Sequence, residues 1–427
     1  MLDIAEIRRN PDAIKANVAA RNSRADVDGI LKLDEVRRRL VSESQVKQQR
    51  RNEVSALTPK EKDAAKRAEL VAEGKALKVE IEGLEKARKE AEARLDALMM
   101  QLPNLTHPDA PKGGTEADSK VLRKVGEPRT LSFKPLDHVA LCEKHDLCDF
   151  EAGTSVAGQK FYFLKNEAVL LELALIQYAM GKLVARGWTP VITPDLAKVE
   201  VLEGIGFQPR DNAETRQVYL VQDTDLCLVG TAEITLGGMH RGQVFDAAQL
   251  PRKYVGLSHC FRTEAGAAGR DTRGLYRVHQ FTKVEMFAFC LPEQSEAIHL
   301  EILAIEEEIF QGLGLPYQVL DTAEGDLGGP AYRKYDLEAW MPCRGEAGQY
   351  GEVTSTSNCT DFQARRLDIR YRKPGEKRNP FVHTLNGTAV ACTRALVAIL
   401  ENGQQEDGSI VVPEALRPWV GKDRIAR

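Results

Sequence analysis

Apolar positions Leu77, Ile81, Leu84, Ala91, Leu95 and Leu98 fall at alternating steps of four and three once Arg88 is counted into the frame. That spacing lays one seam against a partner helix. Upstream, Leu33, Leu40 and Val54 keep a seven-residue frame that Lys47 interrupts. Thr58-Pro59, with Glu61 three residues after Thr58, reads as a helix start. The pattern predicts helix, turn, helix over 29–101, an antiparallel coiled-coil hairpin about 40 Å or longer at 1.5 Å per residue. Residues 102–130 hold Pro103, Pro108, Pro111 and Pro128 with Gly113, Gly114 and Gly126, and read as a linker. Beyond it, Asn166 is placed to cap a long apolar helix ending near Gly187. β-rich runs follow at Val218–Val221, Tyr254–Phe261 and Tyr276–Phe289, then a helix at 293–311 and a strand set at 349–357. Strands in hairpin succession predict an α+β fold, an antiparallel sheet with helices on its faces behind the helical arm. The expected domains are 1–101, the linker 102–130, and 131–427.

The chain has 427 residues, room for two or three domains at roughly 150 residues each. At 43% hydrophobic and 29% charged it can bury large cores. A net charge of −4 excludes a uniformly basic coat but not a local patch. Residues 37–67 carry ten Lys or Arg against four acids, whereas acids outnumber bases over 68–100. Basic charge thus gathers on the first helix and near the tip, as a solvated face or as an arm for a phosphate backbone. The most apolar stretch, Ala168–Met180, is broken by Glu172 and Gln177, so no membrane span is expected. The N-terminus carries Asp3 and Glu6 and does not read as a secretory signal. A soluble cytoplasmic protein is expected, with its eight scattered cysteines reduced. His138, Cys142, His145 and Cys148 have zinc-ligand chemistry, but their spacing also fits one helical face, and no zinc site is expected. Gly153 to Lys160 is not a phosphate loop: the lysine comes one residue late, and Phe161 follows it.

The informative stretch is Phe261 to Phe281, one strand running into a glycine-bearing loop and a second running out. Arg277, Phe281 and Glu285 share one parity on the outgoing strand, each about 13 Å from the next. A cation, a flat ring and a carboxylate in a row suit an extended ligand with an anion, a ring and an amine, such as an aminoacyl-adenylate. Glu233 and Glu285 offer two carboxylates to one ammonium, and Thr388 offers a hydroxyl to a hydroxyl. Arg394 is read in an apolar helix over 389–400, where a buried guanidinium needs an anion.

Phe261-Arg262-x-Glu264, the glycine loop and Arg277-x-His279-Gln280-Phe281 resemble motif 2 of class II aminoacyl-tRNA synthetases. Arg273-Gly274, Val278-His279-Gln280-Phe281 and Lys283-Val284-Glu285 narrow the resemblance to the seryl-tRNA synthetases. Gly230-Thr231-Ala232-Glu233 is similar to their serine-binding loop, Gly187 through Pro194 to motif 1, and Asn386-Gly387-Thr388-Ala389 through Arg394 to motif 3. The resemblance implies a class II core, L-serine activated with ATP, Mg²⁺ as cofactor, a homodimer, and transfer to serine tRNA grasped by the arm. The family often charges selenocysteine tRNA as well, and the sequence does not decide whether this chain does. The resemblance implies catalytic Arg262 and Arg394. ATP would be bound by Arg262, Thr263, Glu264, Arg277, Val278, Phe281, Glu352, Val353, Thr354, Ser355 and Arg394. The serine pocket would use Thr231, Ala232, Glu233, Arg262, Glu285, Asn386 and Thr388, and Glu352 and Ser355 would hold Mg²⁺. Many family members have Asn-Gly-Ser-Gly where this chain has Asn386-Gly387-Thr388-Ala389. Glu352 and Ser355 have opposite parities, so both face a metal only across a bulge or turn. Two other readings compete: a ligase loading serine onto a carrier protein, and a catalytically inactive tRNA-binding relative.

Overall fold

The structure, a computed structural model, describes residues 1–207, 217–265, 273–375 and 378–426. The chain divides into two compact units, Met1–Leu105 and Thr106–Arg427.

In the first unit, short helices α1 (Ile4–Arg9) and α2 (Pro11–Ala20) precede a hairpin of two long helices, α3 (Val27–Leu57) and α4 (Ala64–Met99). Its seam buries Leu40 and Val54 against Ile81, Ala91 and Leu95, as the heptad spacing predicts. Lys47, the break in the frame, pairs with Glu80 of the facing helix, and Arg50 holds Glu73 through two bonds of 2.7 and 3.0 Å. The second helix does not start at Thr58. Thr58 closes α3, its hydroxyl donating to the Val54 carbonyl at 2.7 Å. The cap is Asp63, which accepts from the amides of Ala65 and Lys66 at 2.9 and 3.3 Å. One carboxylate oxygen accepting from two free amides outcompetes a threonine whose hydroxyl is already donated.

The second unit is built on an eight-stranded sheet among the described residues. Its strands are β1 (Lys120–Val125), β2 (Thr189–Ile192), β3 (Arg252–Phe261), β4 (Gln280–Cys290), β5 (Tyr317–Asp321), β6 (Arg333–Met341), β7 (Gln349–Thr360) and β8 (His383–Ala391). Their spatial order is β1-β5-β6-β7-β8-β4-β3-β2, antiparallel except for the parallel pair β2–β3. β1 lies inside the expected linker: Val121 to Val125 add an edge strand on β5 despite the flanking prolines and glycines. Val218–Val221 forms no strand of the sheet; only Leu220 bridges to Cys227. Residues 389–391, expected as helix, finish β8, because Val390 and Ala391 continue its ladder with Val284 and Lys283.

Alternation on β4 sorts the layers. Val284, Met286, Ala288 and Cys290 face the larger core with helices α5 (Glu167–Ala185), α7 (Ser295–Gly312) and α9 (Cys392–Gly403). Phe287 and Phe289 face a second core with α6 (Ala232–Gly238) and α8 (Phe362–Leu367). α5 is long and apolar enough to cross a membrane by composition, at mean hydropathy 1.6, but Leu171, Ala174, Leu175, Ala179 and Leu183 pack in the larger core. Asn166 precedes α5 without capping it; its amide donates to the Asp146 carbonyl at 2.7 Å. Two glycines set the layer spacing. A Cβ on Gly387 would stand 2.3 Å from Ile302 Cγ2 of α7, and one on Gly256 2.9 Å from Leu236 Cδ1 of α6. Each lets a helix close onto the sheet.

Candidate active site

The odd-numbered residues of β4 nearest the strand's start, Phe281, Lys283 and Glu285, project on the face of the second core. Opposite them in register stand Cys260 and Ser258 of β3, Gly256 facing Glu285, and Thr388 of β8 beside Glu285. The bare Gly256 lets Ala232 of α6 approach, with an added Cβ only 3.3 Å from its methyl. Glu233 thereby arrives over the strand. Thr231 caps α6, its hydroxyl accepting from the Glu233 amide at 3.3 Å. Thr231 and Ala232 are buried.

Glu233 is buried and accepts from Gln363 Nε2 at 2.8 Å and Asn386 Nδ2 at 3.1 Å. Gln363 is itself fixed by the Thr384 hydroxyl at 2.7 Å. Burial first, and the nearby Glu285 carboxylate second, push the Glu233 carboxyl up to about 7, against the pull of Gln363, Lys283 and Arg262. Glu285 is held differently. Lys283 Nζ lies 2.6 Å from its Oε2, and the Thr388 hydroxyl donates to the same oxygen at 3.0 Å. Of the two carboxylates expected to meet one ammonium, Glu285 therefore already has a counter-ion in Lys283.

Arg262 follows β3. Its backbone amide donates to the His279 carbonyl at 2.9 Å, its Nε to Gly230 at 3.4 Å, and its guanidinium sits 5.3 Å from the Phe281 ring centroid. The cation beside the Phe281 ring is thus Arg262 and not Arg277, the cation of the row read from sequence. Arg277 is not on the strand, which begins at Gln280. It turns instead to Glu264, Nη1 to Oε2 at 2.8 Å, and Glu264 adopts a left-handed backbone at φ +52°. Thr263 donates its amide to Gln217 at 3.2 Å, and Val278 is buried. Residues 266–272 of the glycine loop lie outside the described residues.

The bulge that Glu352 and Ser355 require is present. Leu337 pairs with Thr354 but Glu338 with Glu352, leaving Val353 as the extra residue. Glu352 and Ser355 thus share the more open face, while Val353 and Thr354 are buried and the Thr354 hydroxyl donates to Glu306 at 3.0 Å. Arg394 rises from the first turn of α9, not from mid-helix. Its Nη1 lies 3.1 Å from Glu352 Oε1 and donates to the Glu352 carbonyl at 3.1 Å. Burial disfavours the ionised Glu352, but Arg394, Lys334 and Arg262 outweigh it and hold the carboxyl below the usual range. The Tyr276 ring lies 4.9 Å from the Arg394 guanidinium and 4.1 Å from that of Arg344, and its hydroxyl donates to the Glu352 carbonyl at 3.0 Å.

Two groups therefore form. Glu233, Glu285, Lys283, Thr388, Asn386 and Arg262 make one polar cluster that brings together carboxylates, cations and a hydroxyl. Glu352, Ser355, Arg394 and Tyr276 make a cationic and oxygen-rich wall. Lys283, Gln363, Tyr276 and Arg344 were absent from the sequence-derived set. Lys283 was legible by its shared parity with Glu285; Gln363 carries no local signal. Of the zinc-type residues, His138 bonds Glu401 at 3.0 Å, His145 the Gly408 carbonyl at 2.8 Å, and Cys142 and Cys148 touch at 3.1 Å.

Residues 219–403 match the tRNA synthetase class II core domain (G, H, P, S and T), and residues 1–106 the seryl-tRNA synthetase N-terminal domain. The chain is 54% identical over 423 residues to a serine–tRNA ligase of Rhodopirellula baltica, covering 99% of each. It is 53% identical over 425 residues to that of Treponema denticola, covering all of both. Among solved structures it resembles the seryl-tRNA synthetase of Pyrococcus horikoshii complexed with ATP, at TM-score 0.94 and 41% identity over 100% of this chain and 99% of that one. A Giardia lamblia prolyl-tRNA synthetase, at TM-score 0.56 and 17% identity over 66% of this chain, shares the fold. With motifs, site geometry and full-length likeness in agreement, the chain belongs to the seryl-tRNA synthetase family.

Proposed function

We propose that this protein activates L-serine with ATP to seryl-adenylate and passes the seryl group to the 3′ end of serine tRNA. One observation carries the reading. Glu233, Arg262, Thr388 and Glu285 gather at one place on the sheet, where Glu233 would take the ammonium of serine, Arg262 its carboxylate, and Thr388 with Glu285 its hydroxyl.

In the first step a serine carboxylate oxygen attacks the α-phosphorus, and the bond to pyrophosphate breaks. Arg262 spans the serine carboxylate and the α-phosphate, holding the attacking oxygen in line and offsetting charge as it develops. Arg394 grips the leaving phosphates, a guanidinium fork matching their oxygens. Phe281 supports the adenine ring and Glu264 accepts from its amino group, with Thr263, Arg277, Val278, Val353 and Thr354 shaping the nucleotide site. Glu352 and Ser355 present hard oxygen donors on one face, the kind magnesium takes, and would hold a Mg²⁺ that neutralises phosphate charge. In the second step the hydroxyl of the terminal adenosine attacks the seryl carbonyl and AMP departs. No side chain serves as nucleophile.

The arm supplies the acceptor. Lys60, Lys62, Lys66 and Arg67 are exposed around its tip, where they meet RNA phosphates. A homodimer accounts for the exposed apolar side chains of α5 and β2, Val169, Leu170, Leu173 and Ile192, the last 81% exposed. The fold and chemistry suit the cytoplasm. Serine-dependent exchange of pyrophosphate into ATP, together with serylation of serine tRNA, tests the reading. Exchange without charging favours a carrier-protein ligase, and neither activity favours an inactive relative.

A further inference from the structure

Lys283 stands two residues before Glu285 on β4, so both leave the sheet on the pocket face. Lys283 is 5%, Glu285 1% and Thr388 6% exposed. Lys283 Nζ lies 2.6 Å from Glu285 Oε2 and 3.5 Å from Thr388 Oγ1, and the Thr388 hydroxyl stands 3.0 Å from the same Glu285 oxygen. Three buried polar atoms form one triangle. A buried ion pair adds little stability over an apolar replacement, so its presence in a pocket wall points to another role.

Charge matching supplies that role. The pocket gathers Glu233, Glu285, Lys283 and Arg262. An amino acid brings one ammonium and one carboxylate. Were Glu285 without a counter-ion, two carboxylates would compete for that ammonium, and a side-chain amine would fit beside the second. Lys283 fills this second place from within. Glu233, whose oxygens accept from the neutral amides of Gln363 and Asn386, is left for the substrate ammonium.

Resting on the serine-activation reading, we propose that Lys283 is a specificity-determining residue. Its ammonium claims Glu285, so that Glu285 and Thr388 accept a side-chain hydroxyl and the pocket turns away a side-chain amine.

The discriminating probe is L-2,3-diaminopropionate, which is serine with its hydroxyl replaced by an amine. In pyrophosphate exchange, the wild-type protein is expected to use it with kcat/KM at least about 100-fold below that for serine, because its cation meets Lys283. Lys283→Met is expected to raise the serine KM about tenfold and to shift the diaminopropionate-to-serine ratio of kcat/KM upward by about 100-fold. Lys283→Arg, which keeps the charge, restores the wild-type order. A merely structural lysine changes the melting temperature and leaves that ratio alone. Wild-type use of diaminopropionate within about tenfold of serine overturns the proposal, as does a ratio in Lys283→Met within about twofold of wild type. If Lys283→Met does not fold, the wild-type comparison and Lys283→Arg still decide it. Exchange that does not depend on serine at all defeats the serine reading itself; serine dependence with an unmoved ratio defeats the Lys283 role alone.

Discussion

On the proposed assignment, Glu233 would tie protonation to substrate capture. Its carboxyl, lifted to about 7 by burial and by Glu285, is neutral below that pH and charged above it. A serine ammonium needs the charged form. The serine KM should therefore rise as pH falls below about 7, approaching tenfold per pH unit at the acid end, and Glu233→Gln should flatten the profile. A wild-type KM that stays level from roughly pH 6 to 8 contradicts this role. Thr388→Val keeps the shape and removes the hydroxyl that donates to Glu285. It should lower selection of serine over alanine about tenfold in exchange assays, the worth of a hydrogen bond to a charged group. Arg394→Ala should abolish exchange while leaving a normal melting curve; near-normal exchange would remove Arg394 from the phosphate site. Phe281 and Glu285 were readable as neighbours because β4 alternates from Gln280 onward. Arg277 was misplaced because alternation holds only inside a strand, and the strand begins three residues later.

At the scale of elements, sequence read best where one pattern persists. The heptad seam of α4 needed only its own spacing, and the bulge at Val353 followed from asking two donors to share a face. Legibility failed where two weak signals met. Thr58-Pro59 and Asp63 both resemble helix starts, and only the direction of the Thr58 hydroxyl decides between them. β1 hides among prolines and glycines because its partner, β5, lies about 200 residues away in sequence. Asp63→Ala should destabilise the start of α4 by about 1 kcal/mol, read as faster amide exchange over its first turn. Gly256→Ala adds a Cβ 2.9 Å from Leu236 Cδ1 and should push α6 from the sheet, raising the serine KM more than the ATP KM. Equal effects on both would separate α6 from the serine pocket.

At the scale of the molecule, the proposed function divides the labour between two units of unlike composition. Deleting residues 31–100 should leave serine-dependent exchange intact and abolish tRNA charging; surviving charging would take the acceptor contact off the arm. The hairpin carries a second consequence. Among the described residues, none from Ser55 to Glu80 is fully buried, and the nearest cross-hairpin ties are Lys47–Glu80 and Arg50–Glu73. Such ties weaken as salt rises, and so does attraction to a polyanion. If the arm holds the tRNA as proposed, ionic strength would act twice on acylation, softening the lever and loosening its grip, while the adenylate chemistry within the sheet would feel neither.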